Sequence, residues 1–261
     1  GLEYDSYPSE YEAVFSSNTS QKAYEEDVLL AGFGAAPTKN EGASVSYDDA
    51  GQQWTARYQH ETVALAFSIT EEAEEDGQYG SIASRYTKAL ARSMSSTKEI
   101  KAANVLNNAT TVNGGDGTTL LSTAHPTQNG NQSNTLATAA DLSETSLESI
   151  LIQIADMKDE RGLRVAAQGT QLIIPTAYTF VAERLLESQL RTGTADNDIN
   201  AIKSGGYLPK GYHVMRRLTD ADQFFVQTDV PDGLKYFTRS AMRKGMEGDF
   251  ETGNIRYKCR E

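Results

Sequence analysis

The stretch from 141 to 190 decides the fold, and it reads DLSETSLESILIQIADMKDERGLRVAAQGTQLIIPTAYTFVAERLLESQL. In its first half, apolar residues recur every three or four positions, which is the spacing of one helix face. The predicted buried face of this helix consists of Leu147, Ile150, Leu151, Ile154 and Met157. Asp141 or Ser143 can accept hydrogen bonds from the first free N–H groups, and Gly162 can end the helix.

The second half of the stretch predicts a buried strand followed by another helix. Residues 170–174 form a short apolar run that Pro175 stops, because proline cannot donate to a strand ladder. Residues 176–190 then return to helical spacing. A buried strand between two helices indicates an α/β core, which we place at 141–225 as a separate domain.

Upstream of this core the sequence predicts an unusually long helix at 81–107. Its apolar stripe comprises Ile82, Tyr86, Leu90, Met94 and Thr97. A helix of this length runs roughly 40 Å at about 1.5 Å per residue, which is long enough to cross a whole domain. The acidic run at 71–76 precedes it, where the helix macrodipole favours negative charge. Residues 108–140 are rich in Asn, Thr, Gly and Ser and predict a loop that can hold a short hairpin.

Residues 1–40 predict an extended arm. Their aromatic side chains show no periodicity, so they cannot bury one another within the segment. We expect a short helical patch at 21–30, after which glycines and a proline break the pattern. The arm should become ordered only where another surface covers it, because its own contacts do not offset the entropy of ordering.

Residues 41–70 predict an extended β-hairpin. The segments 43–47 and 54–58 flank an Asp-rich turn, and the return strand continues through alternating apolar residues to Ile69. An isolated two-stranded hairpin is marginal in water, so we expect this one to rest on another surface, in this chain or in another.

The C-terminal part predicts short strands with glycine-marked breaks between them. The strands are expected at 212–215, 223–227, 234–239 and 254–258. The last two are joined by a loop at 245–253, which would make a wide hairpin.

Composition argues against several function classes. The formal charge of −12 does not suit a protein that grips nucleic acid, because phosphate neutralisation needs surplus Lys and Arg. No apolar run approaches the roughly 18 residues needed to span a bilayer. The single cysteine, Cys259, excludes an internal disulfide and argues against a cysteine-based zinc site. Because the first residue is Gly1 and not Met, we expect that the chain is trimmed there.

We expect no catalytic, cofactor or metal site in this chain. His60, His125 and His213 lie in separate segments without ligand spacing, and no nucleophile motif accompanies His125. Phosphate-binding loop, dinucleotide-binding and zinc-protease motifs do not occur in the sequence. The residues alone therefore indicate a mixed α/β subunit that is completed by its neighbours.

Several segments, taken together and in order, resemble the major capsid proteins of tailed bacteriophages. The resemblance covers 119–190 and 218–261 and extends into the segment between them. Its pieces are LSTAHPT at 121–127, NTLATAADLSETSLE at 134–148, LIIP at 172–175, AERLL at 182–186, GTADNDINA at 193–201, LTDAD at 218–222, GLK at 233–235 and GMEGDF at 245–250.

The resemblance implies the Hong Kong 97-type capsid fold, which is an α+β architecture. Its parts map onto this chain as an N-terminal arm at 1–40, an extended loop at 41–70, a peripheral domain with its spine helix at 71–140, an axial domain at 141–225 and returning strands of the peripheral domain at 226–261. It also implies a chain that continues past Glu261, which would leave the last strand incomplete.

The resemblance further implies a structural subunit that assembles itself into an icosahedral head shell around the phage genome. Expected partners are copies of the chain in hexameric and pentameric capsomers, together with scaffold, portal and decoration proteins. DNA would be enclosed without sequence-specific binding, no membrane would be involved, and assembly in the host cytoplasm would yield the virion. Two alternatives are a secreted adhesive or capsid-decoration module, which should be mostly β, and a small hydrolase using His125.

Two groups of residues are predicted to meet neighbouring subunits. The first group, in the hairpin, consists of Asp48, Asp49, Trp54, Arg57 and Tyr58. The second group, which the resemblance places near three-fold positions between capsomers, consists of Arg239, Arg243, Lys244, Glu247, Asp249 and Glu251. Opposite charges of this kind fix the register of a symmetric contact more than they add affinity.

Overall fold

The structure, a computed structural model, describes residues 8–75, 79–191 and 198–261, apart from the side chains of 74 and 79–82. The side chain of Ile82 and most of the segment 193–201 therefore lie outside the described residues. The helices are α1 Glu71–Glu75, α2 Tyr79–Asn107, α3 Glu144–Ala155, α4 Thr179–Glu187 and α5 Ala201–Gly205. The strands are β1 Ser16–Thr19, β2 Tyr24–Ala31, β3 Gly51–Gln59, β4 Ala64–Ile69, β5 His125–Thr127, β6 Gly130–Gln132, β7 Gly169–Ile174, β8 Tyr212–Val214, β9 Phe225–Thr228, β10 Lys235–Thr238, β11 Arg243–Gly248 and β12 Ile255–Arg260. This mixture of helices and strands confirms the predicted α+β class.

The chain forms two compact units, each built from separate sequence segments. The first comprises residues up to Tyr24, 59–104 and 234–261, and the second comprises 25–58 and 105–233. The second unit thus extends beyond the core expected at 141–225 on both sides. Assignment of the two units to peripheral and axial domains stays a prediction.

The second unit centres on β7, which lies between β8 and β9. β8 pairs with β7 in parallel and β9 pairs with it antiparallel, and both confirm strands predicted from the sequence. Apart from Thr170, β7 is buried, as expected for an apolar run that Pro175 stops. Helices α3, α4 and α5 contribute to the same core. The buried cluster consists of Leu142, Leu147, Leu172, Ile174, Ala182, Leu185, Leu186, Ile202 and Leu208.

Helix α3 begins after Ser143, one of the two predicted caps. The side chain of Ser143 accepts from the backbone N–H of Ser146 at 3.2 Å, and Ser146 Oγ accepts from the backbone N–H of Ser143 at 2.9 Å. This reciprocal pair satisfies N–H groups that the first helical turn leaves free. On the predicted buried face, Leu147 and Ile154 are fully buried and the other three positions are half-buried.

The predicted end of this helix is wrong, because α3 stops at Ala155 and not before Gly162. Asp156 closes the helix by donating its N–H to the carbonyl of Ile152. Gly162 lies instead in a tight turn, where its φ of +87° favours glycine and its N–H donates to the carbonyl of Asp159. The charged residues between 156 and 161 are compatible with either structure, so the local pattern did not mark the boundary.

In the first unit, α2 confirms the predicted long helix. Leu90 and Met94 from its predicted stripe are buried and form an apolar cluster with Cys259 of β12. Strand β12 lies between β11 and β4, and both pairings are antiparallel. A three-stranded sheet therefore supplies the apolar surface that one face of α2 requires.

Phe67 on β4 is packed within this unit. Its ring stacks on Tyr257 with centroids 5.0 Å apart and meets Tyr86 edge-on at 5.6 Å. The assignment of Phe67 to the return strand of the extended hairpin is wrong. β3 ends at Gln59, and β4 is a separate strand that pairs with β12. The pairing joins segments almost 190 residues apart in sequence, which alternation within 63–69 cannot reveal.

The extended hairpin was predicted with the wrong first strand. β3 pairs with β2, which occupies part of the region expected to be helical, and residues 43–50 form no regular secondary structure. Exposed and half-buried side chains alternate along β2, as on a strand with one covered face. We call β2, β3 and the connection 32–50 the ribbon.

The C-terminal hairpin is narrower than predicted. β11 pairs with β12 and leaves only 249–254 as the turn, so much of the expected loop at 245–253 is strand. The strand expected to flank this loop, β10, pairs instead in parallel with β1. Gly245 and Gly248 lower strand propensity and so indicated a loop, but the hydrogen bonds of a ladder are made by backbone groups and need no side chains.

Candidate subunit-contact surfaces

The ribbon concentrates exposed apolar side chains. They are Val28, Leu30, Phe33, Val45 and Tyr47, with exposed fractions that range from 42% at Val28 to 96% at Tyr47. Removing apolar surface from water lowers the free energy by about 25 cal/mol per Å². Several large apolar side chains on one exposed segment are typical of a surface that another molecule covers.

Asp48 and Asp49, two predicted contact residues, lie in the connection of the ribbon. Asp48 Oδ2 accepts from the N–H of Gly34 at 2.8 Å, and Asp48 Oδ1 contacts Nη2 of Arg161 at 2.5 Å. The bond from the Arg161 guanidinium, followed by that from Gly34, holds the pKa of Asp48 below its usual value. The structure therefore ties Asp48 to its own chain, while Asp49 is exposed beside it.

Arg57 and Tyr58 lie near the end of β3. Arg57 Nε donates to Glu26 Oε1 of β2 at 2.8 Å, so this pair links the two strands of the ribbon. Both side chains are well exposed, and an ion pair in such a position contributes at most about 1 kcal/mol. Tyr58 is 45% exposed. Their participation in a subunit contact stays a prediction.

Trp54 is half-buried within its own unit, where its ring lies against Gly115. A methyl group at position 115 would lie 2.4 Å from Cε3 of Trp54 and 3.0 Å from Cβ of Ala56. Glycine is therefore required here for a close approach between ring and backbone. The hairpin was expected to rest on another surface, in this chain or in another, and for Trp54 that surface lies within its own chain.

Replacing Gly115 by alanine should displace the Trp54 ring and destabilise the second unit by about 1–3 kcal/mol, as overpacking does elsewhere. Thermal unfolding and the tryptophan emission spectrum would report the two effects, since Trp54 is the single tryptophan of the chain. Gly114→Ala is the matched control, because a methyl group there meets nothing closer than 3.5 Å. Equal melting temperatures for the two variants would contradict the prediction.

The second predicted contact group is placed around the β11–β12 hairpin. Arg239 follows β10, Arg243, Lys244 and Glu247 lie on β11, and Asp249 and Glu251 lie in the turn. All of them except Asp249 are exposed. The structure thus brings most of the group together on one hairpin.

Asp249 is engaged within its own turn. Its carboxylate accepts from the hydroxyl of Thr252 at 2.6 Å and forms an ion pair with Arg256, and its backbone N–H donates to the carbonyl of Asn254 at 2.8 Å. The hydroxyl of Thr252 is the main reason that the pKa of Asp249 is lowered. Asp249 therefore fixes the shape of the turn, and its role in a contact between subunits stays a prediction.

Sequence reasoning missed four exposed residues on this hairpin. Lys258 and Arg260 lie on β12, while Met246 and Phe250 are exposed to 67% and 103%. Alternation along 255–260 could have found the two cations, since it places every second residue on one face. No sequence signal distinguished Phe250 from an ordinary buried aromatic residue.

His125 lies on β5, in the short hairpin that β5 and β6 form. Its Nδ1 is 2.6 Å from Asp116 Oδ2 and 3.0 Å from Thr118 Oγ1. Burial would raise the pKa of Asp116, but hydrogen bonds from Thr118 and His125 together hold it below its usual value. A hydrolytic relay needs the carboxylate on one ring nitrogen and the nucleophile on the other. Here both groups contact the same nitrogen, so the arrangement does not match such a relay.

The parts of the chain that the structure describes contain no group of three or more His, Cys, Asp or Glu side chains placed to hold a metal ion. None of the helices described is long and apolar enough to cross a membrane.

A sequence profile with the description phage capsid protein matches residues 52–261, which is most of the chain. No curated protein sequence matches the chain.

Three solved structures illustrate the similarity in fold. The bacteriophage JBD30 capsid is 13% identical, with a TM-score of 0.62 over 82% of this chain and 92% of that chain. The capsid of Myoviridae phage XM1 is 10% identical, with a TM-score of 0.56 over 94% and 83%. A virus-like particle from Pyrococcus furiosus is 12% identical, with a TM-score of 0.52 over 100% and 88%. At these identities the likeness is one of fold.

Proposed function

The chain belongs to the phage capsid protein family, and on that premise we propose that each copy joins its neighbours in the shell through its ribbon. As a member of this family the protein is a structural subunit of a capsid, and the Hong Kong 97-type fold expected from the sequence is consistent with the similarity of its fold to solved phage capsids. The ribbon is the surface by which one copy would meet the next.

The observation that carries the proposal is the apolar patch of the ribbon. A fully exposed Leu or Phe gains about 1.5–3 kcal/mol when it is buried. Leu30, Phe33 and Tyr47 are each at least 60% exposed in the single chain, so a neighbouring copy that covers them would bury a substantial apolar area. The bonds of Asp48 with Gly34 and Arg161 attach one point of the connection 32–50 to the rest of the unit.

We place copies of the chain in hexameric and pentameric capsomers of an icosahedral head, with DNA enclosed without sequence-specific binding. Scaffold and portal proteins are expected partners. A decoration protein is supported by the similar JBD30 capsid, which is decorated with minor capsid protein trimers. We place assembly in the host cytoplasm, and the role of the chain in the virion is structural and not catalytic.

The test is a triple variant, Leu30→Ser, Phe33→Ser and Tyr47→Ser. Because exposed substitutions rarely change stability by more than about 0.5 kcal/mol, the melting temperature of the subunit should hardly change. The yield of shells should fall at least about tenfold, which corresponds to a loss of only 1.4 kcal/mol at the contact. Sedimentation and electron microscopy of the expressed protein measure that yield.

The control is the pair Ile152→Ser and Phe180→Ser, two residues outside the ribbon that are 64% and 77% exposed. Shell yield from this control should stay within about twofold of the unaltered chain, a difference of roughly 0.4 kcal/mol. Normal shells from the triple variant would show that the ribbon is not a contact.

A further inference from the structure

The sheet formed by β4, β12 and β11 has one face that packs within the first unit and one that is exposed. On the packed face, Cys259 joins the apolar cluster with α2, and Tyr257 stacks on Phe67. Because side chains alternate along a strand and directly paired residues share a face, the register assigns the residues of the opposite face. We call that face the outer face, and it consists of Ala64, Ala66 and Ser68 on β4, Arg256, Lys258 and Arg260 on β12, and Arg243, Gly245 and Glu247 on β11.

Three cations of the outer face have no partner. Arg243 lies directly opposite Arg260, and Lys258 is the next residue on the same face of β12. Within the ranges that the structure describes, none of the three side chains forms an ion pair or a hydrogen bond. Like charges directly opposite one another destabilise a sheet. An anion supplied by another molecule would offset that repulsion.

The positive charge of the outer face is local. Its acidic residue, Glu247, is directly opposite Arg256, which forms an ion pair with Asp249 in the turn. The segment 234–261 holds seven basic and four acidic residues, a net charge of +3, in a chain whose net charge is −12. The charge of the whole chain therefore does not reveal the three cations at one end of this face.

A groove of about 440 Å³ lies among these cations. Its floor contains small residues, Ala64 and Ala66 on β4 and Gly245 on β11. A methyl group at position 245 would lie 2.9 Å from Cε of Lys258, so the glycine leaves room for the lysine stem to lie along the sheet. A lysine stem can cover apolar surface while its ammonium group stays in water. The groove therefore combines a floor of small residues with a basic rim.

The residue types of the outer face select the chemistry of the ligand. Arginine binds phosphate through paired N–H groups, and lysine adds a compact positive charge. None of the nine residues of this face is aromatic, so the bases of a single strand would find no ring on which to stack. A floor of alanine and glycine also gives little area to the apolar side chains that anchor a protein partner. These features favour the phosphate groups of a duplex, whose bases are already stacked.

The spacing of the cations suits a nucleic-acid backbone. Residues two apart on a strand are separated by about 6.8 Å, and neighbouring strands by about 4.8 Å. Double-stranded DNA carries one negative charge per roughly 1.7 Å of its axis. The three cations therefore lie within the span of a few phosphate groups.

We propose that the outer face of the β4–β12–β11 sheet is a sequence-independent binding site for the phosphate groups of double-stranded DNA. Arg243 and Arg260 donate N–H groups to phosphate oxygens, and Lys258 adds its ammonium group on the same stretch of backbone. Such a contact distinguishes no base, because phosphate groups carry no sequence information. The inference rests on the proposed function in that the shell encloses DNA, and it assigns the contact with DNA to one face of one sheet. A single subunit binds weakly, but many copies in a shell hold one DNA molecule at many points.

The salt dependence of DNA binding tests the site. A fluorescent DNA duplex of random sequence is titrated with the subunit at salt concentrations from about 50 to 200 mM, and fluorescence anisotropy gives the affinity. Each neutralised phosphate contributes about 0.9 to the slope of log affinity against log salt, so the unaltered chain should give a slope of about −2.7. Lys258→Gln with Arg260→Gln should reduce the slope to about −0.9 and weaken binding at least about tenfold at the lowest salt concentration.

The matched control is Arg85→Gln with Arg92→Gln, which removes the same charge from exposed positions on α2. Its slope should equal that of the unaltered chain. The melting temperature of the Lys258, Arg260 variant should not fall, because the repulsion between Arg243 and Arg260 is removed. Its shell yield should stay within about twofold of the unaltered chain, since the outer face does not join copies.

Three results would overturn the inference. The first is an equal salt slope for the unaltered chain and the Lys258, Arg260 variant. The second is a polyglutamate peptide that displaces the duplex at an equal concentration of charge, since the groove would then serve an acidic protein segment. The third is a Lys258, Arg260 variant that loses shells and keeps DNA binding, since the face would then join copies. Failure of the ribbon would appear separately, as normal shells from the Leu30, Phe33 and Tyr47 variant.

Discussion

Replacing Leu147 by alanine is expected to lower the free energy of unfolding by about 2–5 kcal/mol, the range found for buried leucines elsewhere. Leu147 is 0% exposed and belongs to the core cluster of the second unit, together with Leu172 and Ile174 of β7. The substitution removes apolar contacts and leaves a cavity between α3 and the sheet, because the surrounding structure relaxes only in part. Urea denaturation followed by circular dichroism measures the loss.

The same helix provides the control. Ile152 lies on the opposite face of α3 and is 64% exposed, so Ile152→Ala should cost less than about 0.5 kcal/mol. Comparable losses for the two variants would mean that α3 does not bury the face containing Leu147. Leu147 is buried and cannot touch a neighbouring subunit. The shell yield of its variant should therefore fall only in proportion to the fraction of folded protein.

Replacing Glu99 by alanine should destabilise the first unit by about 1–3 kcal/mol for each N–H group that it leaves unpaired. Glu99 lies on α2, is 3% exposed, and accepts from the backbone N–H groups of Glu10 at 2.8 Å and Tyr11 at 3.2 Å. Its carboxylate is therefore the acceptor that attaches the segment before β1 to the long helix. Loss of both bonds should also raise the rate of amide exchange at Glu10 and Tyr11.

Two further variants separate this role from a general effect of charge. Glu99→Gln keeps one carbonyl oxygen and should recover part of the stability. Glu61→Ala removes the partner of Lys101 in an exposed ion pair and should cost at most about 1 kcal/mol. If Glu99→Ala and Glu61→Ala have equal effects, the attachment of the N-terminal segment does not depend on Glu99.

For the candidate contact residues, the sequence predicted some of the observed exposures and contacts and missed others. Arg243, Lys244 and Glu247 were expected to be exposed near a hairpin, and they are. The partner of Trp54 was not predicted, because Gly115 lies some sixty residues away in sequence and carries no side chain to suggest a contact. Phe250 was overlooked because an aromatic residue between two acidic ones has the same local pattern whether it is covered or exposed.

The sequence by itself determined the elements whose pattern is local. Helical spacing predicted α2 and the body of α3, the capping signal at Asp141 or Ser143 placed the start of α3 within a few residues, and an apolar run before Pro175 predicted β7. These are decided by hydrogen bonds and side-chain contacts within a few residues, which a periodic sequence specifies. The segments that resemble phage capsid proteins likewise indicated the family.

Only the tertiary structure decided which strands pair. β3 joins β2, β4 joins β12, and β10 joins β1, although the sequence suggested other partners for each. Strand pairing is made by backbone groups that all residues share, so its choice depends on which apolar faces can be covered at the same time. The apolar cluster of Leu90, Met94 and Cys259 follows from that choice, because Cys259 reaches α2 only once β12 lies between β4 and β11.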